Sequence, residues 1–153
     1  MIKALFVDIF DYNRRSTNTS QLLALKRIGV DVTGYNYRKK AVEIGNKKRD
    51  EHLIEVVKNN NYDLVIYSKC NQISEHVFNS NKLHAKTCLW FMDPLKTYDD
   101  EMRHKTKLVD YFCCDKKDVL QLAKTINKNS YHVFEGFDSK NDFPIDCTKE
   151  YDV

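Results

Sequence analysis

The segment at residues 87–94 (TCLWFMDP) constrains the fold of this chain more than any other. Its first six residues are almost all apolar and favour β-structure, and an acid and a proline follow at once. A short apolar run that ends at a turn signal predicts a strand buried on both faces, as in a parallel sheet. A carboxylate at the carboxyl end of such a strand, here Asp93, lies where open α/β sheets bind their ligands.

The same unit of apolar run, polar tip and helical pattern recurs along the whole chain. Further strands are predicted at about residues 2–7, 30–37, 62–68, 111–114 and 131–134, and helical patterns at about 18–28, 48–59, 73–79, 98–108 and 116–126. This alternation predicts right-handed βαβ units in an α/β fold, a Rossmann-like doubly wound parallel sheet of about six strands. We expect the strand order 3-2-1-4-5-6, with Trp90 and Phe91 in or beside the central strand. The sparse apolar face of residues 98–108 predicts an exposed helix.

Composition narrows the functional classes. The 153 residues include 25 basic and 22 acidic side chains, a balance that argues against a nucleic-acid-binding protein. No apolar run approaches the roughly 20 residues of a membrane span, and residues 1–7 are too short an apolar stretch for a signal peptide. The five cysteines lack metal-ligand spacing, so we expect reduced thiols, no metal site and a reducing compartment, the cytoplasm.

The loop after the first predicted strand, residues 8–17, contains no glycine. A dinucleotide-binding turn needs glycine there, because the backbone must approach the pyrophosphate closely. The sequence therefore argues against NAD or FAD at this loop, and no cofactor is expected.

Several short motifs, in their order and spacing, resemble those of the N-terminal Rossmann-like domain of GT-B glycosyltransferases. The closest likeness is to the CgeB-like (spore-maturation) group and its neighbours in glycosyltransferase families 1 and 4. The motifs are LALKRIGVDV at 23–32, YDLVIY at 62–67, LWFMD at 89–93, DYF at 110–112 and GFD at 136–138. The final residues 151–153 (YDV) resemble the point where that family enters its second domain.

The resemblance implies a domain boundary and a division of labour. Residues 1–147 would form the acceptor-side domain, and 148–153 would begin a linker or strand into a second domain that is absent here. The donor, a nucleotide sugar, binds mostly to that second domain in GT-B enzymes. The chain would therefore bind a sugar or glycan acceptor, need the second domain in cis or in trans, and be inactive in transfer alone.

Six residues are candidates for the site. Asp93 is the candidate catalytic base, which would take the proton of the acceptor hydroxyl; the alternative is a helix cap before Pro94. The candidate substrate-binding residues are Asn13 and Arg14 in the first loop, Lys69 after the third strand, and Glu135 and Asp138 beside Gly136 after the sixth. The cations would meet a phosphate or an anionic acceptor, or they are simply solvated; Asp138 would contact the ligand or cap a turn.

Two classes of function stay open. The first is the acceptor-side half of a nucleotide-sugar-dependent glycosyltransferase. The second is a Rossmann-like module that binds a small ligand or partner without chemistry. A receiver-like signalling domain would need an acid after the third strand, where the chain has Lys69.

Overall fold

The computed structural model describes residues 1–11, 16–134 and 136, and it shows an α/β fold with one parallel sheet. The strands are β1 Lys3–Asp8, β2 Asp31–Asn36, β3 Leu64–Ser68, β4 Lys86–Phe91, β5 Tyr111–Cys114 and β6 Ser130–His132. The helices are α1 Thr17–Arg27, α2 Tyr37–Ile44, α3 Asn46–Asn60, α4 Glu75–Asn81, α5 Asp100–Leu108 and α6 Lys117–Ile126. A short 3-10 helix, Leu95–Thr97, precedes α5. The Rossmann-like doubly wound sheet predicted from the sequence is thus confirmed, with Trp90 and Phe91 in β4.

The predicted strand order is wrong: the sheet runs 2-1-3-4-5-6, with every neighbouring pair parallel. Burial explains the difference. Four of the five residues of β3 are buried, which suits a central strand. In β2, Asp31 and Thr33 are exposed, which suits an edge. The chain therefore places β3 against the inner side of β1 and leaves β2 outermost.

The helices divide unequally between the two faces of the sheet. Leu22 of α1 packs with Ala4 and Phe6 in a small core on one face. Helices α2 to α6 pack against the other face, where the larger core lies. Right-handed crossovers produce this division, because only the step from β1 to β2 moves in the opposite direction along the sheet.

Gly34 in β2 allows α1 to lie close to the sheet. A Cβ atom at this position would lie 3.1 Å from Leu22 Cδ2 and 3.1 Å from Phe10 Cε2. The pairing of β1 and β2 continues through Gly34 without a bulge. Of the two interpretations that a glycine in this strand suggests, close backbone approach is therefore the one observed.

The parallel arrangement brings the carboxyl ends of the strands to one edge of the sheet. The direction of the crossovers reverses between β1 and β3, and open α/β sheets bind ligands at such a switch point. Residues that follow β1, β3 and β4 are therefore the first place to look for a site. Within the described residues, no helix combines the length and the apolar character needed to cross a membrane.

Candidate functional site

A buried carboxylate, Asp8, ends β1 at the switch point. Its side chain turns toward α1, where Asn18 Nδ2 donates a hydrogen bond of 2.7 Å to Asp8 Oδ1. The backbone N–H of Ile9 donates to the same oxygen at 2.7 Å. The residue is only 2% exposed, so the acid lies inside the edge of the sheet rather than on it.

Burial changes the protonation of Asp8. Removal from water raises its pKa to about 6, although the Ile9 N–H, the Ser68 hydroxyl and the Lys69 ammonium act in the opposite direction. Asp8 Oδ2 and Ser68 Oγ are both buried; the hydroxyl is near enough to act on the pKa of the acid, but neither atom makes a hydrogen bond of good geometry within the described part of the chain. An incompletely satisfied acid with a perturbed pKa at a switch point is typical of a functional site.

Asp8 belongs to a row of side chains that crosses the sheet on its α1 side. Pairing of Val7 with Tyr67 sets Asp8 beside Ser68, and Ser68 pairs in turn with Trp90. The row therefore carries a carboxyl group, a hydroxyl group and an indole ring on three neighbouring strands, all close to the carboxyl edge.

The accessible part of the edge is an ion pair between the ends of β3 and β4. Lys69 Nζ donates to Asp93 Oδ1 at 2.7 Å. The two side chains are 41% and 34% exposed, so solvent or a ligand reaches both. Asp93 caps no helix: Pro94 precedes the 3-10 helix, and Asp99 caps α5 by accepting from the Met102 N–H. The pair brings together two of the six candidate residues from the sequence.

The backbone that carries Lys69 adopts an uncommon conformation. Lys69 has φ of 58° and Cys70 has φ of 55°, the left-handed region that non-glycine residues rarely enter. The surrounding structure must stabilise such a pair of residues, because each one raises the energy of the loop. Cys70 is fully buried, and its Sγ donates to the Val7 carbonyl at 3.3 Å.

Two buried charged residues of α3 hold the far part of this loop. Arg49 is 0% exposed; its Nη2 donates to the Gln72 carbonyl at 2.5 Å and its Nε donates to Asp50 Oδ1 at 2.6 Å. Asp50 Oδ2 in turn accepts hydrogen bonds from the N–H and the hydroxyl of Ser74. Side chains from a neighbouring helix therefore satisfy a stretch of loop that has no sheet partners.

A buried lysine of α5 holds the near part of the loop. Lys105 is 3% exposed, and its Nζ donates to the Cys70 carbonyl at 3.2 Å and to the Asn71 carbonyl at 2.9 Å. Glu101 Oε1 accepts from the same ammonium at 2.5 Å. Three consecutive carbonyls, from Cys70 to Gln72, thus receive charged donors. These contacts fix the loop, and through it the position of Lys69 at the edge.

The remaining candidate residues, Asn13, Arg14, Glu135 and Asp138, lie outside the described residues, as does the predicted boundary at 147/148. Gly136, which two of them flank, is described and is exposed. Sequence reasoning missed Asp8, since the first strand was expected to end one residue earlier. The signal that would have found it is an acid at the carboxyl end of a buried strand, the same signal that pointed to Asp93.

The arrangement offers a proton acceptor and a cation side by side, with a second, buried carboxyl group behind them. Within the described ranges, no group of three or more His, Cys, Asp or Glu side chains is placed to hold a metal ion. The carboxylates and the ammonium group can bind a hydroxyl or an anion and can transfer a proton.

Fold and site together define a doubly wound α/β protein with a polar cluster at the carboxyl edge, beside its switch point. Comparison with family models and with curated proteins gave no match for the chain.

Proposed function

We propose that the chain is the acceptor-side domain of a nucleotide-sugar-dependent glycosyltransferase of the GT-B kind. The observation that carries the proposal is the Lys69–Asp93 ion pair, at 2.7 Å and half-exposed, at the carboxyl edge of a Rossmann-like sheet. The sequence motifs that resemble those of CgeB-like proteins support it, and one of them contains Asp93 itself. The nucleotide sugar would be the donor substrate, bound by a second domain in cis or in trans, and a sugar or glycan would be the acceptor.

In this proposal Asp93 is the general base. An acceptor hydroxyl attacks the anomeric carbon of the donor sugar, the bond from that carbon to the nucleoside diphosphate breaks, and the hydroxyl proton passes to the Asp93 carboxylate. Lys69 holds the carboxylate in place beforehand and contributes positive charge where the diphosphate leaves with its electron pair. The contacts from Arg49 and Lys105 to the loop keep Lys69 in position, which lowers the reorganisation needed at the moment of reaction.

A second candidate, a binding module without chemistry, is favoured by the ion pair itself. Lys69 already donates to Asp93 Oδ1, and a paired acid and base at a sheet edge also suits a site that holds a hydroxylated or ionic ligand without proton transfer. The two candidates differ in one measurable respect, since only the first requires a donor-binding domain.

Turnover with and without a donor-binding domain tests the proposal. The purified 153-residue chain should transfer no sugar from any nucleotide sugar, because the proposal assigns donor binding to a second domain. Joined to a GT-B donor-binding domain, it should transfer sugar to an acceptor, measured as the appearance of nucleoside diphosphate together with the glycosylated product. Transfer by the chain alone, free of contaminating enzyme, would contradict the division into two halves. Acceptor binding with no turnover in any joined form would favour the binding module.

A further inference from the structure

A groove runs along α1 on the face of the sheet that carries only this helix within the described residues. It has a volume of about 240 Å³ and lies between α1, Trp90 and two residues that follow β6, Phe134 and Gly136. None of the catalytic roles proposed above uses it. Two of its lining residues, Ile28 and Phe134, are large apolar side chains that are each 76% exposed.

The lining of the groove changes character along its length. α1 begins at the carboxyl edge, where Asn18 contacts Asp8, and it runs toward the opposite edge. The lining residues near its start, Thr17, Ser20 and Gln21, carry hydroxyl and amide groups. Those farther along, Ala24, Leu25 and Ile28, are aliphatic, and Trp90 lines the same groove. The wall that α1 contributes is therefore polar near the carboxyl edge and aliphatic farther along the helix.

The described residues that line the groove carry little charge. Among them Arg27 alone is charged, and it already interacts with another group of the chain. Trp90 and Phe134 supply flat aromatic surface, which stacks well on another ring. A cavity of roughly 150 Å³ lined by aliphatic and aromatic side chains holds a benzene ring. The volume here suits one or two fused rings with a substituent.

We propose that this groove binds an uncharged aromatic alcohol of one or two rings. Its ring packs against Trp90 and the aliphatic part of α1, and its hydroxyl group lies near Thr17 and Ser20 at the carboxyl edge. This inference rests on the proposed function only for the further step that such an alcohol is the acceptor, with its hydroxyl directed toward the Lys69–Asp93 pair. The binding itself requires neither a donor nor catalysis.

The single tryptophan of the chain makes the groove directly observable. Trp90 lines the groove, and its indole N–H gives one isolated cross peak in an ¹⁵N-correlated NMR spectrum. The indole nitrogen is buried and has no hydrogen-bond partner within the described residues, so its shift reports on the packing around the ring. Titration with 2-naphthol should move this peak saturably, with an affinity in the millimolar range that small fragments show. Cyclohexanol, which lacks the flat ring, and 2-naphthalenesulfonate, which carries a charge, should move it far less.

A pair of phenylalanine substitutions on α1 locates the binding. Ala24→Phe fills the groove and should weaken 2-naphthol binding by roughly tenfold or more, the scale of an overpacked contact. Lys26→Phe places the same side chain on an exposed position of the same helix that does not line the groove, and should leave binding unchanged. The full spectra of both variants verify folding, and Ser20→Ala, which removes a hydroxyl group from the polar end, gives a second weakened variant if Ala24→Phe does not fold.

Three results would overturn the inference: no movement of the indole peak, equal binding of the charged sulfonate, or binding that neither Ala24→Phe nor Ser20→Ala weakens. Failure here is distinguishable from failure of the proposed function. A chain that binds 2-naphthol beside Trp90 but never supports sugar transfer would support the proposed ligand of the groove and contradict the proposed transferase function. Sugar transfer that depends on Asp93, with no aromatic alcohol bound, would support the transferase function and contradict the proposed ligand.

Discussion

Replacement of Asp8 by Asn should make the protein more stable at neutral pH. Asn keeps the acceptor that Ile9 and Asn18 use, and its amide group can donate to Ser68 Oγ, which has no partner within the described residues. What it removes is a negative charge that is almost fully buried. The carboxylate would therefore be retained for function at some expense of stability, as acids in active sites often are.

The pKa of Asp8 sets the size and the sign of this effect. Folding raises the pKa from 3.8 to about 6, so the folded protein favours the protonated form. The stabilising contribution of neutral Asp8 is thus complete below pH 3.8 and is lost as the pH rises through about 6. A shift of this size corresponds to about 3 kcal/mol at pH 7.5, an upper limit for the gain that Asn gives. We expect a gain of about 1–3 kcal/mol at pH 7.5 and almost none near pH 4.

Urea unfolding of the wild type and Asp8→Asn at pH 4, 6 and 7.5 measures this difference. Asp110→Asn is a control of opposite sign. Although burial pushes its pKa upward, hydrogen bonds from the Thr87 N–H and hydroxyl and the charges of Lys82 and Lys86 hold the pKa of Asp110 below its usual value. Loss of that carboxylate should therefore destabilise the protein at pH 7.5. A wild type more stable than Asp8→Asn at pH 7.5, or a difference that does not change with pH, would refute the reasoning.

Two further predictions concern stability. Lys105→Met should destabilise the protein by about 2–3 kcal/mol in urea unfolding, because it leaves the Cys70 and Asn71 carbonyls without their charged donor. Lys107→Met, on the exposed side of α5, should change the stability little. Equal effects of the two substitutions would mean that the Lys105 ammonium does not support the loop. Leu89→Ala should cost about 2–5 kcal/mol, since Leu89 is 0% exposed in a central strand, and a loss well below 1 kcal/mol in denaturant unfolding would contradict that burial.

Apolar periodicity accounts for the part of the fold that the sequence predicted well. The strand at 111–114 was predicted with its observed bounds, and Cys113 and Cys114 point to opposite faces as neighbouring strand residues must. Cys114 joins the large core, while Cys113 lies on the α1 side, 3.8 Å from Cys88 at Sγ. Side chains alternate between the two faces along every strand, so a short stretch of sequence is enough to predict which residues share a face.

Polar segments that tertiary contacts stabilise were missed or misjudged. α2 buries Tyr37 alone, and its start depends on Asn36 Oδ1, which accepts from the Lys39 N–H at 3.0 Å. The helix over residues 98–108 was expected to be exposed, yet Lys105 and Thr106 of α5 are buried. Lys105 is buried because the carbonyls of a distant loop surround it, a contact that no periodicity within α5 indicates.

The candidate site was likewise predictable only in part: its residues could be proposed from the sequence, but their contact could not. Asp93 and Lys69 follow buried strands, and the rule that strand ends meet at one edge was enough to propose both. Their contact, by contrast, depends on β3 and β4 being neighbours and on the left-handed backbone at Lys69, which nothing in the local sequence reveals. The strand order failed for a related reason, since it depends on burial of β3 against partners that are distant in the sequence.

The central claim is that Asp93 supplies the base at this edge, and turnover of Asp93→Asn in a joined protein tests it most directly. Turnover should fall by roughly 10²-fold or more, the usual scale for loss of a general base, while the melting temperature stays nearly unchanged because a half-exposed ion pair stabilises little. Lys69→Met keeps the carboxylate but removes the charge proposed to stabilise the leaving diphosphate, so it should also lower kcat rather than change KM alone. Unchanged turnover and an unchanged melting temperature for Asp93→Asn would contradict the account and leave the ion pair as a feature of the surface.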